Sequence, residues 1–337
     1  MIFNTDILST LAQGERPTEA ALEAALTSIL GGHANDAQIA ALLMGLETLG
    51  VTTQDVRAGT RVMRAHMVPV ETGLDLLDIV GTGGTGLHTL SISTASMLVC
   101  AGAGAKLAKH GNRAASSLTG TADTLSALGV NLDITPAQAA HAIKTAGLGF
   151  LFAPNHHPAM RFVGPARRAM KIRTLFNLLG PLCNPAGAQR QLLGVANDRW
   201  RRPISETLRD LGSVHAWVVH GEDGLDEITT TGTTHVTELK DGKLRDFTLT
   251  PEDYGIKRVA MDDLRGGTPD VNAAALTALL DGTASAYRDI VRLNAGAALY
   301  IAGLADKVED GIELATHSID SGAAKSALAK LIEVTND

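Results

Sequence analysis

The sequence predicts an α/β fold: a small N-terminal helical domain joined to a large α/β domain with a mostly parallel central sheet. Two patterns carry that reading. Through about residue 70, apolar residues recur at helical spacing between capping residues and glycines. From Leu74 onward, short apolar strand candidates alternate with helical stretches, the arrangement of a parallel sheet crossed by helices. The boundary falls at residues 1–70 and 71–337.

In the first part, Pro17 suits a first helical position, and Ala21, Leu22, Ala25, Leu26, Ile29 and Leu30 form a stripe ending at Gly31-Gly32. Asn35 and Gln38 read as a capping box that opens a helix bearing Ile39, Leu42, Leu43 and Leu46 and stopping near Gly50. Thr52 and Asp55 predict a third start, running through Val62 and Met63. A thin helical layer needs another layer over its apolar stripes, so a dimerisation surface is the functional alternative.

In the second part, Leu76–Val80 is a buried-strand candidate, followed by a glycine-rich turn and a helix from about Ser93 to Ala103. Lys106–Lys109 predicts the next strand, and Thr121 to Leu128 a helix ending at Gly129. Ala216–His220 reads as a strand, and 235–239 with 243–249 as a hairpin around Asp241-Gly242. Residues 273–280, 291–302 and 323–332 read as helices.

Composition narrows the function. At 337 residues the chain can bury a sizeable core, and 45% apolar content excludes wholesale disorder. Cys100 and Cys183 are the only thiols, too few for a four-cysteine zinc site or a disulfide framework. A net charge of −7 argues against a general nucleic-acid binder, while leaving room for a local basic anion site. Met1 to Thr10 lack a basic start, and 95–105 falls far short of the roughly 20 residues that cross a bilayer. A soluble cytoplasmic protein without membrane partners is expected.

Gly81-Thr82-Gly83-Gly84-Thr85-Gly86 lies between strand and helix and satisfies G-x-G-x-x-G. A dinucleotide site should carry an acid about 20 positions later, but Lys106, Lys109, His110 and Arg113 occupy that stretch. The Lys-Ser/Thr pair of a P-loop is missing as well. Closely approaching N–H groups, with hydroxyls at Thr89, Ser91, Ser93 and Thr94, still favour an anion over a turn made for packing alone. Lys109-His110-Gly111-Asn112-Arg113, with Ser116 and Ser117 following, adds cations and donors, and a polyphosphate cradle is the better reading.

Long blocks then resemble the anthranilate phosphoribosyltransferase family. They are D-I-V-G-T-G-G-T-G at 78–86, I-S-T-A-S at 92–96, A-K-H-G-N-R at 108–113 and G-T-A-D at 120–123. F-A-P-N-H-H-P-A-M at 152–160, R-T-L-F-N-L-L-G-P-L at 173–182 and H-G-E-D-G-L-D-E at 220–227 continue the series in order. The resemblance implies a fold like that of the pyrimidine nucleoside phosphorylases, with a segment at about 165–185 packing on the helical domain. It implies transfer of phosphoribosyl from phosphoribosyl diphosphate to anthranilate, with Mg²⁺ as cofactor and a homodimer formed through the helices. That reaction is an early step of tryptophan synthesis.

The resemblance assigns the phosphoribosyl diphosphate to Gly81, Gly83, Gly84, Thr85 and Thr89, then to Ser91, Ile92, Ser93 and Thr94. Lys109, His110, Gly111, Asn112 and Arg113 continue that set, with Ser116, Ser117 and Thr121. It assigns anthranilate to Gly81, Asn112, Arg167, His110 and His157, and the metal to Ser93, Asp226 and Glu227. Arg is apt for a carboxylate because its planar fork donates two parallel bonds. The residues alone do not choose among Arg161, Arg167, Arg168, Lys171 and Arg173. Asp226-Glu227 suits Mg²⁺, which takes one or two carboxylates and keeps waters. Thr85 and Ser91 depart from the family's usual Asp and Asn, which predicts weaker diphosphate or metal affinity rather than another reaction. Cys183 is expected only to pack.

The rival readings are a nucleoside phosphorylase of the same fold, a non-catalytic nucleic-acid-binding paralogue and a nicotinamide oxidoreductase. The missing acid weakens the last of these.

Overall fold

The computed structural model describes residues 2–114 and 118–337. Four helices open the chain: α1 (Asp6–Ala12), α2 (Glu19–Leu30), α3 (Asp36–Leu49) and α4 (Thr53–Ala65). The expected capping boxes are present, with Asn35 and Gln38 bonding reciprocally before α3 and Thr52 and Asp55 before α4. Pro17 is a correction. Thr18 is the N-cap of α2, its hydroxyl accepting from the Ala21 N–H, so the proline precedes the cap instead of occupying the first turn.

The sheet follows as β1 (Leu77–Gly81), β2 (Leu107–Gly111), β3 (Leu148–Phe152), β4 (Arg190–Gly194), β5 (His215–Gly221), β6 (Thr234–Lys240) and β7 (Lys243–Leu249). Its spatial order is β3-β2-β1-β4-β5-β6-β7, with β1 to β5 parallel and β6 and β7 antiparallel. Between strands stand α5 (Ile92–Gly102), α6 (Thr121–Ala127), α7 (Pro136–Ala146), α8 (Ala153–His156), α9 (Gly164–Met170), α10 (Phe176–Leu179) and α11 (Arg201–Asp210). The chain closes with α12 (Pro269–Leu280), α13 (Ala286–Ala302), α14 (Val308–Asp320) and α15 (Ala323–Asn336). Among the described residues, no helix is long and apolar enough to cross a membrane.

Alternation along the strands divides the core. Leu192, Trp217, Val219 and Val236 point into the cluster under α5 and α12 to α15. Leu193, Ala216, Val218 and Leu239 point the other way, into a cluster shared with α1 to α4 and with α9 to α11. The helical domain therefore covers one sheet face through α9 to α11, with Val163, Ala166, Leu175, Phe176, Ile204 and Leu208 between.

The sheet order also locates the site. From β1 the chain winds outward through β2 to β3, and from β4 it winds the opposite way to β5. Such a reversal leaves a crevice at the carboxyl ends of the two central strands, where open α/β sheets bind ligands. The glycine-rich loop leaves β1 at that crevice.

Candidate functional site

A cleft of about 370 Å³ opens there. Gly81, at the end of β1, pairs with Gly194 at the end of β4, and the Thr82 N–H donates to the Gly194 carbonyl at 2.9 Å. Gly194 must be glycine because the Asp226 backbone lies directly over it, while a Cβ at Gly81 would collide with the Asp226 carboxylate. Gly83, Gly84 and Gly86 all have positive φ, which turns the loop back across the cleft.

Asp226 grips this loop: the Gly83 N–H donates to its Oδ2 at 2.7 Å. Next to it, Glu227 receives hydrogen bonds from the Ser93 N–H and hydroxyl. The three residues expected to hold a metal are thus brought together. Burial raises the pKa of both carboxyls, and Asp226 pushes Glu227 further the same way. Two adjacent buried carboxyls, one of them bonded by the Ser93 hydroxyl, suit a divalent cation. The set fits Mg²⁺, although the described residues contain no cluster of three or more His, Cys, Asp or Glu side chains placed for a metal.

Lys109 is buried on β2, and its ammonium donates to the Ile79 carbonyl. Burial lowers its pKa, opposed by the charges of Asp78, Glu227 and Asp226. In this arrangement Lys109 offsets carboxylates as well as facing the cleft. Asp78, fully buried on β1, is pushed up to about 6 by desolvation, against Lys109 and hydrogen bonds from Asn184 and the His110 N–H. Asn184 Nδ2 reaches Asp78 Oδ2 at 2.8 Å and the Ala108 carbonyl at 2.7 Å, tying β1 to β2.

The remaining predicted residues distribute as follows. Thr85, Thr89, Ser91, Ile92 and Thr94 line the cleft with the first turn of α5. Thr94 Oγ1 is buried with no partner among the described residues. Gly111, Asn112, Arg113 and Thr121 form the opposite lip, where Arg113 pairs with Asp123 at 2.8 Å. Ser116 and Ser117 lie outside the described residues.

His110 lines the cleft, its ring 5.0 Å from that of His157. Its Nδ1 lies 3.1 Å from the Gly180 carbonyl, which can only accept. In the neutral ring the proton therefore sits on Nδ1, leaving a lone pair on Nε2, which is buried and unpartnered among the described residues. Burial, helped by His157, lowers His110 to about 3, and burial lowers His157 to about 4.

Arg167, on α9, stands one residue behind the cleft lining. Its Nη2 donates to Asn177 Oδ1 at 3.4 Å, and its guanidinium lies over the Phe176 ring. Asn177 itself lines the cleft. Burial lowers the Arg167 pKa, and no carboxylate pairs with it among the described residues.

Sequence reasoning missed several lining residues. Arg173 donates to the Gly83 carbonyl at 3.0 Å, and with Asn177 it sat inside a quoted block, so a signal existed. Asp78, fully buried behind the lining, is signalled by an acid inside an apolar strand run. Gly267 and Asn272 carried no signal, because they reach the cleft from a distant part of the chain.

Comparison with known proteins matches this geometry to one family. Residues 5–67 match the helical bundle domain of a glycosyl transferase family, and residues 73–325 match its a/b domain. An anthranilate phosphoribosyltransferase of Parvibaculum lavamentivorans is 54% identical over 330 residues, covering 98% of this chain and 97% of that protein. The one from Agrobacterium fabrum is 51% identical over 331 residues, covering 98% and 96%. The crystal structure of the Thermus thermophilus enzyme superposes with a TM-score of 0.93 at 41% identity, over 98% of this chain and all of that one. The Saccharomyces cerevisiae enzyme, solved with phosphoribosyl diphosphate and Mg, gives 0.90 at 25% identity, over 98% and 97%. With half of its residues shared over nearly its whole length, the chain belongs to the anthranilate phosphoribosyltransferases of the glycosyl transferase family.

Proposed function

We propose that this protein transfers the phosphoribosyl group of phosphoribosyl diphosphate to the amine of anthranilate, giving N-(5-phosphoribosyl)anthranilate and pyrophosphate in tryptophan biosynthesis. The observation that carries the reading is the meeting of Ser93, Asp226 and Glu227 with the glycine loop at the β1/β4 crevice. A phosphorylated sugar bearing a diphosphate leaving group matches that donor set.

The amine nitrogen attacks C1 of the ribose, the C1–O bond breaks, and pyrophosphate departs with the bonding pair. Little base catalysis is needed before attack, because a neutral aniline is already nucleophilic. Ser93, Asp226 and Glu227 would hold Mg²⁺, which would supply charge neutralisation for a diphosphate leaving group. Lys109 and the backbone N–H groups of the glycine loop and of the first turn of α5 stabilise the same developing charge. The new C–N bond leaves a positively charged nitrogen that must lose a proton. His110 Nε2 is an open acceptor for it, and a neutral imidazole serves because the protonated secondary aniline is a strong acid. Arg167 and Asn177 orient the anthranilate carboxylate, with Asn112 and Gly81 between the substrates and His157 behind His110. The 1–70 and 71–337 division, a homodimer through the helical domain and a cytoplasmic location belong to the same reading. The exposed Met44 on α3 supports the dimer surface.

The test is the Mg²⁺ activation curve of the variant carrying Asp226→Asn and Glu227→Gln. The expected result is a half-saturating Mg²⁺ concentration raised about tenfold or more, with lower turnover. A curve identical to that of the wild type would refute the metal assignment.

A further inference from the structure

The two segments that line the cleft leave different strands, 82–94 after β1 and, among the described residues, 112–114 and 118–121 after β2. One diphosphate can bridge them only if their separation is fixed. The strip between residues 264 and 272, from the far C-terminal side of the sheet, reaches both. Along the first loop it makes one isolated antiparallel bridge, Thr89 opposite Arg265: the Leu90 N–H donates to the Leu264 carbonyl at 2.9 Å and the Gly266 N–H to the His88 carbonyl at 2.8 Å. Toward the second loop, Thr119 Oγ1 donates to the Gly267 carbonyl at 2.6 Å.

Side chains close these contacts into a ring. The Gly267 N–H donates to Asn272 Oδ1 at 3.0 Å, which fixes which end of the amide is oxygen. Asn272 Nδ2 then donates to Ser91 Oγ at 3.3 Å. Ser91 Oγ lies 2.8 Å from Thr124 Oγ1, whose own proton goes to the Gly120 carbonyl at 3.3 Å, so Ser91 donates to Thr124. The Ser91 and Thr124 hydroxyls each accept one bond and donate the next. The chain runs from the strip through the first loop to Gly120, one residue from Thr119, whose hydroxyl returns to the strip. Asn272 is 1% exposed, and both it and Gly267 line the cleft.

We propose that Asn272 and Thr119 are positioning residues for phosphoribosyl diphosphate, setting the distance between its two binding loops through this ring. Asn272 uses both ends of its amide, and no shorter or singly functional side chain can bridge the strip to Ser91. The inference rests on the phosphoribosyl-diphosphate site proposed above and adds residues that act on that ligand without touching the reacting atoms. Part-buried hydrogen bonds linked in series lose more than an average bond when one member is removed, because its partners are left unpaired.

The experiment measures binding of phosphoribosyl diphosphate with Mg²⁺ by calorimetry, and the anthranilate KM by turnover, for Asn272→Ala, Thr119→Val, Thr119→Ser and the Ala/Val double variant. Asn272→Ala and Thr119→Val should each weaken phosphoribosyl diphosphate about fivefold or more, with anthranilate KM changed less than about twofold. Thr119→Ser, which keeps the hydroxyl, should bind like the wild type. The double variant should be no weaker than the weaker single variant by more than about twofold, since both open one ring. Wild-type affinity in both single variants, or a Thr119→Ser as weak as Thr119→Val, would overturn the inference alone. Should Asn272→Ala not fold, the Val and Ser variants at position 119 decide the matter. Wild-type protein that bound no phosphoribosyl diphosphate would overturn the functional reading and this inference together.

Discussion

Arg167 sits among Arg161, Arg168, Lys171 and Arg173, and only its surroundings separate it from them. It is half-buried, stacked near Phe176, bonded to Asn177 and unpaired with any carboxylate among the described residues. A buried guanidinium without an anion is costly, and burial accordingly lowers its pKa. A substrate carboxylate would relieve that cost. Replacing Arg167 by Ala should raise the anthranilate KM by about tenfold or more and leave the KM for phosphoribosyl diphosphate nearly unchanged. Steady-state kinetics with each substrate varied checks this, and unchanged anthranilate kinetics would refute the carboxylate role. Position in the sequence could not make this choice, because charge and spacing are nearly the same for all five cations.

At the level of elements, what was legible was local. The capping boxes before α3 and α4 and the turn at Asp241-Gly242, with φ of 50° and 74°, depend on residues within a few positions of one another. Strands β3 and β4 and helices α7, α11 and α14 are not legible in the sequence, because short apolar runs such as Leu148–Phe152 fit helix and strand alike until neighbours are known. The far edge of the sheet has its own anchor. Glu238 on β6 is buried; desolvation would raise its pKa, but bonds from His215, Trp217, Tyr300 and Arg245 outweigh this and bring it to about 2. Its folded pKa lies below its unfolded value near 4.5, so its stabilisation is complete above that value. The contribution falls as pH drops from about 4.5 toward 2. Glu238→Gln should lower stability at pH 7 by on the order of 3 kcal/mol, and the gap should narrow in acid across that window. Thermal melts of both proteins from pH 7 to 3 measure it, and a gap that stayed constant would contradict the assignment.

For the whole molecule, the sheet reversal at β1 and β4 explains how a chain of net charge −7 can hold a polyanion. The loop after β1, Lys109 on β2 and the strip at 264–272 converge on one crevice, while the acidic excess lies elsewhere. The glycine loop and the Lys109–Arg113 segment were readable because each is contiguous. The Asn272 contact to Ser91 was not, because 181 positions separate its partners and no periodicity links them. Thr85 and Ser91 acquire a physical context from the structure. Thr85 Oγ1 accepts from the Leu87 N–H at 3.3 Å, and Ser91 is a relay in the ring through Asn272. The most direct measurement follows anthranilate fluorescence and pyrophosphate together, with phosphoribosyl diphosphate and Mg²⁺ present and thymidine phosphorolysis run in parallel. Anthranilate should disappear with one pyrophosphate released per molecule consumed and no thymidine cleaved; thymidine cleavage without anthranilate loss would contradict the account.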